Sequence, residues 1–319
     1  MPEYIFRRLL LAVPTFIGAV TLVFLVMRVL PGDAASVILA GQETAIEASD
    51  EQLAALREQL GLNRPLIVQY FQWLWDAVRF DFGESLWYPT PVLDEFKLRY
   101  PFSLGILVIA LATSLIIAIP AGIISAVKQD TWIDYGLRIF TLAGLSIPSF
   151  FVAILTIVFL LRFFGWLPPL AHAPFWEALW PNFQRLLFPS LIIGYRLSAI
   201  GTRMTRSSVL EVLREDYVRT ARAKGLREQV VIWRHALRNA ILPVLTLIGI
   251  EIIVLFSGLV IMETVFTIPG MGSLLVDALF HRDYITVQGV VFVFALFVLL
   301  MNLLVDMSYA FFDPRIRLQ

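Results

Sequence analysis

Any chemistry in this chain must rest on charged side chains, because the familiar reactive sets are missing. There is no cysteine, which excludes a disulfide framework, thiolate metal sites and a cysteine nucleophile. His172, His235 and His281 are scattered, and no His-Glu-x-x-His occurs, so no metal-ligand spacing is present. A Gly-x-x-x-x-Gly-Lys-Ser/Thr loop is also absent, so the chain lacks the phosphate cradle of an ATPase. Ser125-Ala-Val-Lys128 matches the Ser-x-x-Lys of penicillin-binding enzymes only formally, without the companion motifs. Gly270-x-Gly272 has no strand before it and reads as a turn. Two features remain: a basic run with nine Lys and Arg between Arg203 and Arg238, and two isolated charges, Arg196 and Glu251, inside apolar sequence.

The elements around these residues are membrane spans. Of the 319 residues, 59% are hydrophobic and 16% charged, with a mean hydropathy of +0.79; soluble domains are roughly 45–50% apolar and about 25% charged. Lys and Arg balance Asp and Glu at 25 each, so no bulk charge points to nucleic acid. A bilayer core takes about 20 apolar residues as helix. Such runs extend from Leu9 to Met27, between Arg99 and Lys128, between Arg138 and Arg162, from Leu186 to Met204, from Ala240 to Met262, and between Asp283 and Asp306. Short β-alternation is absent, so the expectation is an all-α polytopic protein with six transmembrane helices. Pro120 and Pro148 are candidate kinks in the second and third spans. The first apolar run is longer than the ~7–15 residues of a signal-peptide core and reads as an uncleaved span.

Orientation follows from the basic residues. With the N-terminus inside, fifteen Lys and Arg fall on the cytoplasmic side and seven on the other, placing both termini in the cytoplasm. The outer segment 31–101 carries eleven acidic and five basic residues. In it, Ser49-Asp50-Glu51-Gln52 fits a capping box, followed by Leu53, Leu56 and Leu60 at helical spacing and a stop at Gly61. A second helix is expected from Pro65, carrying Tyr70, Phe71, Trp73 and Trp75 either as a partner-binding face or as interfacial anchors.

Arg196 and Glu251 each lie about halfway along a span. An isolated charge at the bilayer centre costs on the order of 2.5–3.5 kcal/mol. The two are expected to pair or to line an aqueous path; snorkelling or local backbone bonding is the plainer alternative. The basic run contains Glu211-Val-Leu-Arg-Glu-Asp-Tyr-Val-Arg-Thr-Ala-Arg-Ala-Lys-Gly225-Leu and His235-Ala-Leu-Arg-Asn-Ala-Ile-Leu-Pro243. Helix formers fill it up to Gly225, which can end a helix or admit another backbone closely. A short basic helix between two spans suits docking, whereas a solvated arginine-rich loop would have the same composition.

These phrases are recognisable. Asp216-Tyr-Val-Arg-Thr-Ala-Arg-Ala-Lys-Gly-Leu226 and His235-Ala-Leu-Arg-Asn-Ala240 resemble the coupling ("EAA") loop of ATP-binding-cassette importer permeases, in detail the dipeptide/oligopeptide/nickel branch. Tyr4-Ile-Phe-Arg-Arg-Leu-Leu-Leu11, Arg28-Val-Leu-Pro-Gly-Asp33, Leu60-Gly-Leu-Asn-Arg-Pro-Leu66 and Phe82-Gly-Glu-Ser85 agree in the same order. So do Glu263-Thr-Val-Phe-Thr-Ile-Pro-Gly-Met-Gly272, Arg282-Asp-Tyr284 with Gln288-Gly289, and Asp313-Pro-Arg-Ile-Arg317. Arg219-Thr220-Ala221 stands where other importers have Glu-Ala-Ala, and the proline expected near 238 is displaced to Pro243. Both departures resemble this branch.

The resemblance implies a bacterial inner-membrane permease subunit, non-catalytic, that forms the path for peptides; nickel complexes are the runner-up cargo. It implies a second homologous permease, two ATPase subunits that carry ATP and Mg, and a solute-binding protein on the outer side, with no cofactor on this chain and no nucleic-acid partner. Tyr217, Arg219, Thr220, Ala221, Arg222, Gly225 and Leu226 become the residues expected to couple to an ATPase. The implied division is residues 1–30 as N-terminus and first span, 31–100 as a helical periplasmic insertion, and 101–319 as the permease core with its coupling loop at 207–239. A self-sufficient secondary transporter or channel is the competing class, but no convincing internal repeat supports it. Because the chain has no native cysteine, single cysteines test the topology. Glu58→Cys and Ala178→Cys should react with an impermeant maleimide added outside sealed cells, and Glu228→Cys should not; labelling at 228 would overturn the six-span reading.

Overall fold

The structure, a computed structural model, describes residues 2–29, 50–59, 62–88, 90–169 and 174–312. Among them the chain is helical, with no strand beyond an isolated bridge between Glu84 and Pro91. The helices are α1 (Pro2–Val29), α2 (Asp50–Gln59), α3 (Leu66–Val78), α4 (Val92–Val127), α5 (Trp132–Ser146), α6 (Ser149–Phe164), α7 (Leu179–Val212) and α8 (Asp216–Ala223). A short α9 (Glu228–Val230) runs into a π-helical stretch (Val231–Ala236), then α10 (Leu237–Val265), α11 (Met271–Phe280) and α12 (Tyr284–Phe312).

Three helices among the described residues are long and apolar enough to cross a membrane, at Leu10–Arg28, Val92–Val127 and Tyr284–Val305. The third expected span is not one helix. α5 and α6 meet at a 99° bend at Pro148, which has no N–H to give, and Ile147 before it is extended, at ψ 124°. α4, by contrast, continues unbroken through Pro120. The expected fourth and fifth spans fall on α7 and α10, of 34 and 29 residues.

The chain forms two compact units. One comprises Met1–Ile5, Phe102–Ile268 and Met301–Gln319; the other comprises Phe6–Pro101 and Pro269–Leu300. Residues 50–59, 62–88 and 90–101 thus group with most of α1, with α11 and with the first half of α12, a division that the sequence phrases did not suggest.

In the first unit α4 packs on α7 through small residues. A Cβ at Gly194 would lie 2.7 Å from the carbonyl oxygen of Ala110, and one at Gly122 would lie 2.9 Å from the carbonyl oxygen of Thr202 and closer still to the Thr205 side chain. Only glycine permits that approach, and close backbone contact is how helices associate where apolar surroundings remove the hydrophobic drive. A polar cluster joins the same helices at one end. Asp134 on α5, fully buried, accepts two hydrogen bonds from Arg206 of α7 at 3.0 and 2.9 Å and two from Arg138 at 3.3 and 2.7 Å. It also accepts from the backbone of Asp130 and from the hydroxyl of Ser125 on α4. At the other end of α4, Ser103 donates to the buried Glu263 of α10 at 2.6 Å.

In the second unit the core is aromatic. Phe82 stands 5.2 Å from Phe96 and 5.8 Å from Phe292, beside Val20, Met271 and Leu274. Asp283 caps α12, accepting from the backbone and hydroxyl of Thr286 at 3.1 and 2.6 Å and from Ser85 at 2.5 Å. α2 and α3 form where the sequence placed them, although Ser49, Leu60 and Gly61 lie outside the described residues. The aromatics of α3 divide. Tyr70 and Trp73 pack on Phe24 of α1, with Tyr70 hydrogen-bonded to Thr21 at 2.7 Å, whereas Phe71 and Trp75 are exposed.

Removing Asp134 leaves two guanidiniums facing each other without their shared anion. Asp134→Ala should destabilise the protein by about 3 kcal/mol, the cost of breaking a buried charge pair from one side, seen as a lower thermal unfolding midpoint in detergent. Arg138→Ala should cost less, because that side chain is 40% exposed while the side chain of Arg206 is 20% exposed.

Candidate functional site

The basic loop is built as a short helix with two different faces. Val218 and Ala221 of α8 are buried against Val231 of the π-helical stretch, with Val212 and Leu213 packed around them. That contact fixes α8 to its own chain, so Ala221 belongs to the anchoring face and not to the outer surface. The outer surface carries Tyr217, Arg219, Thr220 and Leu226, all exposed. Tyr217 is held from one side only, its hydroxyl accepting a hydrogen bond from Asn239 at 2.7 Å; two family-like phrases of the sequence therefore meet here. Thr220 donates to the carbonyl of Asp216 at 2.9 Å, and Arg219 pairs with the Asp216 carboxylate at 3.3 Å on the open surface.

The helix stops where the sequence predicts. Gly225 takes φ +74°, and its amide bonds the carbonyl of Arg222 at 2.9 Å. No atom lies within 4 Å of where its Cβ would be, so within this chain the glycine serves the left-handed turn and not a close approach. Arg222 is turned back onto Glu228 across this turn, with hydrogen bonds of 3.2 and 2.7 Å. The Arg222 hydrogen bonds hold the Glu228 carboxyl below its ordinary value and raise the guanidinium above its own. A lowered carboxyl stabilises the fold above its unfolded pKa, so this clasp is present at neutral pH and is lost as pH falls through the carboxylate range.

No hydrogen bond or ion pair within 4 Å joins Arg196 and Glu251 among the described residues. The direct pair expected from their matching depths is therefore not formed. Arg196 is exposed on α7, on the same face as Ile200, Arg203 and Ser207.

Residues 118–318 match the family described as binding-protein-dependent transport system inner membrane component, and residues 1–106 match the N-terminal family of the same membrane components. The chain belongs to this family. It is 39% identical over 317 residues to the glutathione transport system permease protein of Escherichia coli (strain K12), covering 99% of each chain. It is 36% identical over 337 residues to the dipeptide transport system permease protein of Alkalihalophilus pseudofirmus, covering 99% of this chain and all of the relative. A solved structure, the MetNI methionine ABC transporter in inward facing conformations, aligns over 66% of this chain and 93% of that one, at 15% identity and a TM-score of 0.49.

Several polar contacts of this permease were not singled out from its sequence. Asp134 carried no assigned role, and its bond to Arg206, seventy-two residues on, left no local signal. Glu263 and Asp283 stood inside family-like phrases without an assigned role, and their partners Ser103 and Ser85 lie 160 and 198 residues away. Arg203 was counted only as part of the basic run.

The turn at Gly225 gives a direct test. A left-handed backbone costs an ordinary residue roughly 1–2 kcal/mol, so Gly225→Val should speed hydrogen–deuterium exchange of the α8 amides about ten-fold. Gly225→Asn, which tolerates that conformation, should leave exchange near wild type.

Proposed function

We propose that this permease subunit forms part of the path for small peptides in an importer driven by separate ATPase subunits. The observation that carries the reading is α8. It is a helix of eight residues, locked on its inner face by Val218 and Ala221, that presents Tyr217, Arg219, Thr220 and Leu226 outward beside the Gly225 turn. It leads through α9 and the π-helical stretch straight into α10. A rigid handle of this kind transmits a push on its outer face to a membrane helix, which is what coupling two distant sites through one bistable element requires. Arg222 acts in this scheme by holding the turn through Glu228.

In the same reading the chain crosses the bacterial inner membrane six times, with α5 and α6 sharing the third crossing and both termini cytoplasmic. The excess of basic residues around α8 supports that orientation. Two ATPase subunits bind ATP and Mg, a homologous permease completes the path, and a solute-binding protein delivers cargo from outside. Peptide is the cargo favoured by the relatives named for dipeptide and glutathione transport.

The experiment is reconstitution of the purified complex in vesicles. ATP hydrolysis should rise several-fold when peptide-loaded binding protein is present, and the paired change Tyr217→Ala with Leu226→Asp should release the ATPases from detergent-solubilised complex. Peptide uptake by this chain alone, driven by an ion gradient and indifferent to ATP, would sink the reading in favour of a secondary transporter.

A further inference from the structure

An open cavity of about 690 Å³ lies at the end of the first unit that carries α8. Three arginines line it, Arg138 from α5 and Arg203 and Arg206 from α7, together with the apolar Leu142, Ile200 and Leu247. The charges are not equivalent. Arg138 and Arg206 share the buried carboxylate of Asp134, so their guanidiniums are held in place. Arg203 is exposed, and no ion pair or hydrogen bond among the described contacts engages it. The cavity therefore presents one uncommitted cation, backed by two fixed guanidiniums with donor N–H groups to spare.

The face on which it opens is not a lipid face. Arg196, Ile200, Arg203 and Ser207 follow on α7 at intervals of four, three and four residues, which stacks them along one side of the helix. Arg203 stands about 10 Å along the axis from Arg196. Arg196, exposed halfway along its span, cannot face acyl chains without a large cost; its side of α7 must meet water or polar surface. The cavity continues that same side toward the helix ends. Its volume falls within the roughly 300–1,000 Å³ of small-molecule sites, enough for a short peptide.

We propose that this cavity receives the free carboxylate of the transported solute, with Arg203 as the binding cation and Arg206 and Arg138 as pre-oriented donors. The assignment rests on the peptide-permease reading and adds to it a chemical class: small solutes with an anionic terminus, held by a charge-assisted fork beside apolar side chains that tolerate varied residues. Arg196 then supplies an earlier cation on the same lane. A phospholipid phosphate has the same anionic oxygens, and the test separates the two.

The reporter is Ser207→Cys in the complete complex, placed in phosphatidylcholine nanodiscs, with maleimide labelling at position 207 read by mass spectrometry. The probes are trialanine and its C-terminal amide. Trialanine at about ten times its half-saturating concentration should slow labelling about ten-fold, and the amide at the same concentration should not. Arg203→Ala should abolish the protection and Arg203→Lys should keep part of it. Equal protection by acid and amide, or protection by neither, overturns the assignment. So does labelling that slows when phosphatidylglycerol replaces phosphatidylcholine and ignores peptide, which would mark a lipid site. The comparison of acid with amide needs no arginine variant, so it decides the matter even where Arg203→Ala misfolds. ATP hydrolysis stimulated by loaded binding protein in the same preparation keeps the permease reading standing even where the carboxylate assignment fails.

Discussion

The arrangement of the permease core depends on how one buried carboxylate is satisfied. Asp134 has no exposed surface, yet it draws in Arg206, Arg138, Ser125 and the backbone of Asp130. A charge so placed is tolerable only when its partners are complete, so α4, α5 and α7 must meet at that end in one register. The small residues along α4 and α7 let the backbones close on each other at defined positions, and the carboxylate adds a polar constraint at one end. That register has functional consequences. Arg206 and Arg138 are turned into the cavity at fixed angles, and the C-terminal end of α7 is set where α8 begins.

α8 shows the same principle in apolar form. A helix of this length is not stable alone, since nucleation is unfavourable and too few bonds follow it. Its existence depends on Val218 and Ala221 seating on Val231, and on a glycine that can turn left after Lys224. Once seated, it is packed against the π-helical stretch that runs on into α10. π-helical turns inside longer helices are uncommon and often functional; here the turn stands between the handle and a long helix of the core.

The second unit rests on a separate anchor. Asp283 caps α12 and takes the Ser85 hydroxyl, while Phe82 packs in the aromatic cluster and Gly289 leaves room for the Phe82 and Phe96 rings. The phrases Phe82-Gly-Glu-Ser85, Arg282-Asp-Tyr284 and Gln288-Gly289 are thus parts of one small structure. Their agreement with relatives has a packing reason as well as a historical one.

Apolar run lengths, turn residues and charge placement acted locally, and so they could be read directly from the chain. The run from Leu9, the helix after residue 50, the stop at Gly225 and the break that Pro148 made possible all depend on neighbours within a few residues. Whether a proline kinks or merely rides in a helix was not local: α4 passes through Pro120 while α5 and α6 part at Pro148, where an extended Ile147 can be accommodated. The pairing of charges was also beyond local reach. Arg196 and Glu251 matched in depth but make no direct ion pair, because depth along two helices says nothing of the rotation of each about its axis. Asp134 found Arg206, and Ser103 found Glu263, only when helix packing brought distant segments together. Sequence determines which groups cannot remain alone in an apolar medium; tertiary packing decides which partner each one meets, since rotation and register are set by the whole interface at once.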